Sequence, residues 1–233
     1  MENATKALLM AAGVLIAIMV ASLLVYMFSQ MSAYQKSASD MEKDNQLAIF
    51  NEEFTQYAQD NILGTDVISL VNKVIDFNEK EIGAGEINYQ QKVTITVTLG
   101  QEFANKYGVN GNLLAFEKNT YTITDENNDF VRIITDLRKV EEKYGLKTMD
   151  VLSSNLESLK TYYKDGDTFN GKSIKDVVGK NISEFEQDFR NGDFSIIEEH
   201  REYSELKIAT FECVGEPEYK DGQVVKMEFK FKK

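Results

Sequence analysis

Few residues in this chain have the types and spacing that enzyme chemistry requires. The 233 residues include one His and one Cys, so a Ser–His–Asp or Cys–His site depends on a single residue, and no group of several His or Cys ligands can hold zinc. His200 lies in a charged segment, Glu198 to Glu202, without the second His of a zinc-binding helix. This context predicts an exposed His at a helix end. Cys213 alternates inward on a predicted strand, which predicts a buried structural thiol.

One acidic segment places oxygen ligands at the spacing of a calcium-binding loop. Asp125, Asn127, Asp129 and Asp136 occupy positions 1, 3, 5 and 12, but Phe130 stands at position 6, where the sharp turn requires Gly. We therefore predict a polar turn between a strand and a helix, with weak calcium binding left open. Among 38 Asp and Glu residues no carboxylate pair stands out as a catalytic dyad. We expect no catalytic, cofactor-binding or metal-binding residues and predict that the protein is not an enzyme.

The longest apolar segment runs from Ala7 to Phe28, 22 residues without a charge or a proline. At about 1.5 Å per residue, a helix of this length covers about 33 Å, enough to cross a hydrocarbon core of about 30 Å. A cleaved secretory signal has an apolar core of only about 7–15 residues, followed by a small-x-small cleavage site. This segment is longer and its exit, residues 29–33, lacks such a site. We predict a retained single-pass transmembrane helix over residues 7–28, after a short tail of residues 1–6.

The charge distribution indicates on which side of a membrane the rest of the chain lies. Glu2 and Lys6 cancel within residues 1–28, so the whole net charge of −12 falls in residues 29–233. No Lys or Arg occurs between Phe28 and Lys36, which favours a cytoplasmic N-terminus and an extracytoplasmic C-terminal domain at the cell surface. The acidic balance argues against nucleic acid as a partner, because phosphate contacts require a basic face.

Helical spacing continues beyond the apolar segment and predicts an amphipathic stem helix over residues 29–63. Neither Pro nor Gly occurs between Val14 and Leu63. Phe50, Phe54 and Tyr57 end this pattern, and we predict that they dock the stem on the distal domain. Within the apolar segment, Gly13, Ala17 and Ala21 recur every four residues. Small residues at this spacing let helices approach closely in lipid, so this face predicts packing against neighbouring copies in a homo-oligomer.

Residues 64–233 predict one α+β head domain, with an antiparallel sheet and several helices. Val93 to Leu99 alternates apolar and Thr residues, residues 120–125 and 206–214 resemble further strands, and Val225 to Phe231 alternates with Lys and Glu. Asp221-Gly222 supplies a hairpin turn. Helical patterns occur over residues 65–78 and 129–190, the latter including a face at residues 174–185.

The N-terminal residues resemble a known family. Met-Glu-Asn-Ala-Thr-Lys-Ala followed by Leu8-Leu9-Met10 looks like the short class III signal of archaeal-type pilins. The resemblance, together with the apolar helix and the stem, covers about the first 60 residues and is to the type IV pilin superfamily. It implies cleavage after Lys6-Ala7, with Leu8 as the new N-terminus. It also implies apolar helices packed in a filament core, with acidic heads outward.

Two functions follow from these patterns. The first is a pilin-like structural subunit, anchored by its N-terminal helix and assembling through helix–helix packing into a cell-surface filament. The second is a monomeric single-pass membrane-anchored domain with a binding or assembly-accessory role outside the cytoplasm. The large head favours the second, as does Ala12, which stands where bacterial pilins carry the Glu that sets the register between subunits.

Overall fold

The computed structural model describes residues 2–80, 91–165 and 185–232. The chain divides into two units, residues 1–50 and residues 51–233. Helix α1 (Glu2–Thr55) contains the described part of the first unit and the opening residues of the second. The predicted helix face at residues 174–185 lies outside the described residues, except for Phe185.

Helix α1 ends at Thr55, before the predicted end of the stem at residue 63. The amide N–H of Tyr57 donates to Phe54 O at 3.1 Å, which tightens the last turn, and Gln59 O accepts the N–H of Cys213 at 3.2 Å. The backbone after the helix is thus used for pairing with a distant strand. Local helical spacing could not reveal this competition, because the pairing partner lies about 150 residues away.

The second unit contains a sheet and a series of helices. The further helices are α2 (Gly64–Lys80), α3 (Gly100–Tyr107), α4 (Asp129–Tyr144), α5 (Leu146–Ser154), α6 (Leu156–Asp165), α7 (Glu186–Arg190) and α8 (Ser195–Ile208). The strands are β1 (Ile62–Leu63), β2 (Thr94–Thr98), β3 (Thr120–Ile123), β4 (Thr210–Cys213), β5 (Glu218–Lys220) and β6 (Gln223–Phe231). The predicted α+β class is confirmed.

The sheet is mixed, so the predicted antiparallel sheet is correct only in part. Its strand order is β1-β4-β6-β2-β3, with β5 beside the first half of β6. Strands β2 and β6 run parallel, with Val97 opposite Phe229, and the remaining pairs are antiparallel. A parallel pair requires a long crossover, and residues 99–222 between these strands supply one. The alternation within each strand predicts its faces but not its direction beside a distant strand.

The two faces of the sheet differ in polarity as the period-two pattern predicts. Ile95, Val97, Ile123 and Phe229 are fully buried on one face, whereas the threonines that alternate with them are half-buried or exposed. Thr98 and Thr120 lie opposite each other on this second face, with their hydroxyls 3.2 Å apart. The apolar face and the helices form the core of the head.

A second apolar cluster joins the helices beyond the sheet. Its buried members are Met149, Leu152, Leu156, Leu159, Phe185, Phe189, Phe194 and Ile197. The helical pattern predicted over residues 129–190 is interrupted here, because α5 ends at Ser154 and α6 begins at Leu156. This cluster fixes α5 and α6 against α8, and that packing sets the position of the polar residues described next.

Two further sequence predictions differ in outcome. The predicted strand at residues 206–214 is wrong in its first part, because α8 continues to Ile208 and β4 starts only at Thr210. The Asp-Gly hairpin is confirmed: Lys220 pairs with Gln223, and Asp221 and Gly222 adopt φ of 52° and 81°. Both turn residues are in the left-handed region that a type I′ turn requires.

Candidate functional site

The first candidate site is the apolar surface of α1. An 18-residue window of this helix has a mean hydropathy of 2.8 and none of it is buried within the chain. Among the described residues, α1 is the one helix that is long and apolar enough to cross a membrane. An exposed apolar surface of this extent on a soluble monomer is unfavourable. The helix is therefore compatible with the predicted transmembrane anchor.

The predicted packing and processing residues all lie on this exposed helix. Gly13, Ala17 and Ala21 are exposed, and a Cβ added at Gly13 meets no atom within 4 Å. The predicted processing residues Lys6, Ala7 and Leu8 are exposed in the first turns, where Lys6 forms an ion pair of 3.4 Å with Glu2. A larger side chain on the small-residue face therefore has no contact to disturb within the chain itself.

The aromatic residues predicted for stem–head docking divide between the units. Phe50 is the last residue of the first unit. Phe54, in the second unit, is buried, and its ring meets that of Phe77 edge-on at 6.0 Å. The Lys73 ammonium lies 5.6 Å from the centre of the Phe54 ring, and Tyr57 is half-buried. The last turn of α1 thus contributes to the core of the head.

The second candidate site is centred on His200, which is fully buried. The prediction of an exposed His is wrong. Its Nδ1 lies 2.8 Å from Ser153 Oγ, and its Nε2 lies 3.0 Å from Glu141 Oε1. The same carboxylate oxygen accepts a hydrogen bond of 2.7 Å from Lys207 Nζ. Three packed helices, α4, α5 and α8, hold this Ser–His–Glu chain in place.

The apolar spacing on α8 contained a signal for the burial of His200. Ile197 and Tyr203 lie three residues before and after it, and both are buried. Residues at this spacing share one face of a helix. The flanking glutamates suggested exposure, but Glu198 and Glu199 are half-buried and Glu202 is buried. The partners Ser153 and Glu141, 47 and 59 positions away, had no signal in the sequence.

Burial and the neighbouring charges determine the protonation state of His200. Burial lowers the pKa of His200, against the opposing effects of its hydrogen bond to Glu141 and the charge of that carboxylate. The imidazole is therefore neutral near pH 7. A carboxylate only accepts hydrogen bonds, so Nε2 carries the proton that it donates to Glu141. The lone pair of Nδ1 then faces Ser153 Oγ, and the serine hydroxyl donates to it.

A cavity of about 400 Å³ opens beside Ser153; we call it the Ser153 cavity. Its lining is mostly polar and includes Ser153, Asn155, Ser158, Arg201, Ser204 and Glu205. Ser204 Oγ is buried and has no hydrogen-bond partner among the described residues. Ser204 follows His200 by four positions and so lies on the same side of α8. A neighbouring cavity of about 720 Å³ shares Arg201 and Glu205 and adds Lys106 and Lys160.

Another buried acidic group has a structural task. The Glu202 carboxylate accepts the N–H groups of Leu114 and Ala115 at 2.8 and 2.9 Å. Burial raises the pKa of Glu202, although these hydrogen bonds oppose the shift. The carboxylate thus satisfies backbone donors of the loop that leads into β3, which would otherwise be unpaired in a half-buried position.

The acidic segment forms a capped turn. Asn128 Oδ1 accepts the N–H of Phe130 at the start of α4, and Asp125 Oδ1 accepts that of Asn127. Asp129 pairs with Lys118 and Arg132. Within residues 2–80, 91–165 and 185–232, His, Cys, Asp and Glu side chains form no group of three at metal-binding spacing.

The sole cysteine is less buried than predicted. Cys213 is half-buried, and its Sγ lies 3.7 Å from Gly215 O. Burial nevertheless raises the pKa of this thiol, aided by the charge of Asp60. The thiolate is therefore a minor species at neutral pH, which disfavours nucleophilic or redox reactivity.

Comparison with known proteins adds no identity: no family model, no curated protein and no solved structure matches the chain.

Proposed function

We propose that this chain is a pilin-like structural subunit, anchored in a membrane by α1 and assembling through helix–helix packing into a cell-surface filament. The observation that carries the proposal is the wholly exposed apolar surface of α1, with its mean hydropathy of 2.8 over 18 residues. Burying apolar surface yields roughly 25 cal/mol per Å², so this surface requires lipid or other apolar helices around it.

The small-residue face of α1 is the surface on which neighbouring helices would pack. In lipid, helices associate through close packing and hydrogen bonds because the surrounding chains are as apolar as the helices. Gly13, Ala17 and Ala21 offer a shallow strip on which a second helix can approach. After cleavage between Ala7 and Leu8, the helix would begin with an apolar residue and would lack the tail that carries Glu2 and Lys6. The acidic head would then remain outside the membrane, at the surface of the filament.

The oligomeric state in mild detergent tests this proposal. Gly13→Leu and Ala17→Leu add bulk to the packing face and should shift the protein from oligomer to monomer in size-exclusion chromatography with light scattering. Ala12→Leu is the matched control, because it adds the same volume about 140° away from the face centre at 3.6 residues per turn. If both Gly13→Leu and Ala17→Leu remain oligomeric, the proposed packing face is wrong.

The mass of the protein from its native cells tests the processing step. A chain that begins at Leu8 supports the pilin-like function. A chain that retains Met1 contradicts processing and favours the alternative below.

The alternative is a monomeric membrane-anchored domain with a binding or assembly-accessory role. It is supported by the second unit, residues 51–233, which has its own sheet and core. In that case α1 serves only as a tether, and the wild-type protein should be monomeric in mild detergent at every concentration. That result would favour the alternative over the filament subunit.

A further inference from the structure

The Ser–His–Glu chain has the connectivity of a nucleophile, a base and a carboxylate that orients the base. The Ser153 hydroxyl meets one imidazole nitrogen at 2.8 Å, and Glu141 meets the other at 3.0 Å. Hydrogen-bond contact between nucleophile and base, with the base held by a third group, is the geometric mark of nucleophilic catalysis. Here Nδ1 faces the serine and Nε2 faces the carboxylate. Either nitrogen of a neutral imidazole can act as the base.

The Ser–His–Glu chain lies beside a cavity, and this position favours a role in chemistry over a purely structural one. A serine that only satisfied a buried His could be sealed in the core, but Ser153 lines a polar cavity of about 400 Å³. This volume lies within the range of about 300–1,000 Å³ of small-molecule sites. Ser204 borders the same cavity, and its buried hydroxyl has no hydrogen-bond partner among the described residues, an uncommon state for a buried polar atom.

We propose that the Ser153 cavity is a serine hydrolase site for small, polar carboxylic esters. Ser153 is the nucleophile, His200 is the general base, and Glu141 is the positioning residue that holds the imidazole. This activity is independent of the filament function and replaces the expectation that the protein is not an enzyme. That expectation relied on an exposed His200.

The proposed reaction takes place in two steps. Ser153 Oγ attacks the ester carbonyl carbon, its proton passes to His200 Nδ1, and the carbonyl electrons move onto oxygen. Collapse of this intermediate breaks the bond to the alcohol oxygen, which leaves with the proton from Nδ1. Water then attacks the acyl-serine with the same base, which releases the carboxylic acid and restores the serine hydroxyl.

The surroundings of Ser153 suit the charges that develop in these steps. The first turn of α6 lines the cavity through Leu156, Glu157 and Ser158. First-turn N–H groups of an α-helix have no acceptor within the helix, so they are available as donors to the oxyanion. The Lys207 ammonium lies 2.7 Å from Glu141 Oε1, and this contact holds the side chain that orients the imidazole.

The polar lining also determines the substrate class. Arg201 and Ser204 border the site, and Arg201 extends into the neighbouring cavity with Lys106 and Lys160. Of the residues that line the Ser153 cavity only Leu156 is apolar, so a long acyl chain would have little continuous apolar surface to bury there. Asp150, Glu157 and Glu205 line the same cavity, and Glu157 lies 3.7 Å from Arg201. A short acyl group with an uncharged, hydroxylated alcohol portion therefore fits the lining.

A covalent probe tests the proposal on the full-length protein in mild detergent. A small alkyl fluorophosphonate should add its phosphonyl group to wild-type protein: the Oγ–P bond forms, the P–F bond breaks, and the proton leaves by way of Nδ1. Intact mass should rise by one phosphonyl group, and peptide mapping should place it on Ser153. The protein should also hydrolyse p-nitrophenyl acetate.

Variants distinguish catalysis from a structural role. Ser153→Ala should abolish labelling and lower ester hydrolysis to the buffer rate, whereas Ser69→Ala, at an exposed position of α2 outside the lining of this cavity, should keep at least half of both. Glu141→Gln should slow labelling at least about tenfold, since it removes the carboxylate that orients the base. Circular dichroism identifies any variant that fails to fold.

Three outcomes would overturn the proposal: no labelling of folded wild-type protein, labelling that persists in Ser153→Ala, or a phosphonyl group mapped to another residue. Because the first and third need no variant, the test holds even where a substitution in the buried chain unfolds the head.

Discussion

Asn51 and Val224 are 173 positions apart, yet the Val224 N–H donates to Asn51 Oδ1 at 2.8 Å. The Nδ2 of the same side chain donates to Gly222 O at 2.7 Å, in the turn between β5 and β6. One amide therefore satisfies a donor and an acceptor of the hairpin. The last turns of α1 are part of the head in hydrogen bonding as well as in packing, where Phe54 is buried.

Two truncations test this relationship. Residues 51–233 should give a soluble, cooperatively folded head, because they keep Asn51, Phe54 and strand β1. Residues 65–233 should be less stable by at least about 3 kcal/mol, since losing a buried Phe alone costs about 3–5 kcal/mol. Urea unfolding followed by near-ultraviolet circular dichroism measures the difference. Equal stability of the two fragments would show that the end of α1 adds nothing to the fold.

A second amide supports the start of the sheet. Asn78 is buried; its Nδ2 donates to Val93 O and Thr124 O, and its Oδ1 accepts the N–H of Val93. Asn78→Ala should lower the free energy of unfolding by roughly 2–3 kcal/mol, because it leaves buried backbone groups unpaired. Asn72→Ala, at an exposed position of the same helix, is the matched control and should change stability by less than about 0.5 kcal/mol. Equal effects would contradict the role assigned to Asn78.

The buried His200 makes stability depend on pH. Because its pKa in the folded state is lowered from 6.5, the unfolded chain binds a proton more readily as the pH falls. The stability from neutral His200 is complete above pH 6.5 and declines below it, toward the folded pKa, by at most about 1.4 kcal/mol per pH unit. Glu141, Lys207 and Asp150 contribute the charges that act on the imidazole.

The comparison with His200→Gln isolates this dependence. Glu199 and Glu202, whose pKa values burial raises, act in the opposite direction: the stability they contribute at low pH is lost as the pH rises through their folded pKa values. Both proteins retain these groups, so the difference in unfolding free energy between them should shrink as the pH falls below 6.5. A difference that stays constant from pH 7.5 to 5 would exclude His200 as its source. Urea unfolding at each pH supplies the values.

The sequence by itself determined the features that depend only on residues close together along the chain. An uncharged run of 22 residues from Ala7 to Phe28 predicts a long apolar helix, because helix length and apolarity are local properties. The alternation from Val93 to Leu99 and the Asp221-Gly222 turn likewise predict a strand and a hairpin, because side-chain period and backbone φ are set residue by residue.

Only the tertiary structure decided the direction of β6 beside β2, the end of α1 at Thr55, and the partners of His200. Each depends on groups brought together from distant parts of the chain, where backbone pairing and burial outweigh local preference. The glutamates around His200 indicated a solvated helix, yet packing of α8 against α4 and α5 buries its imidazole between Ser153 and Glu141. The charges near a residue in the sequence show only what its neighbours along the chain are. Whether the residue is buried depends on which distant segments pack against it.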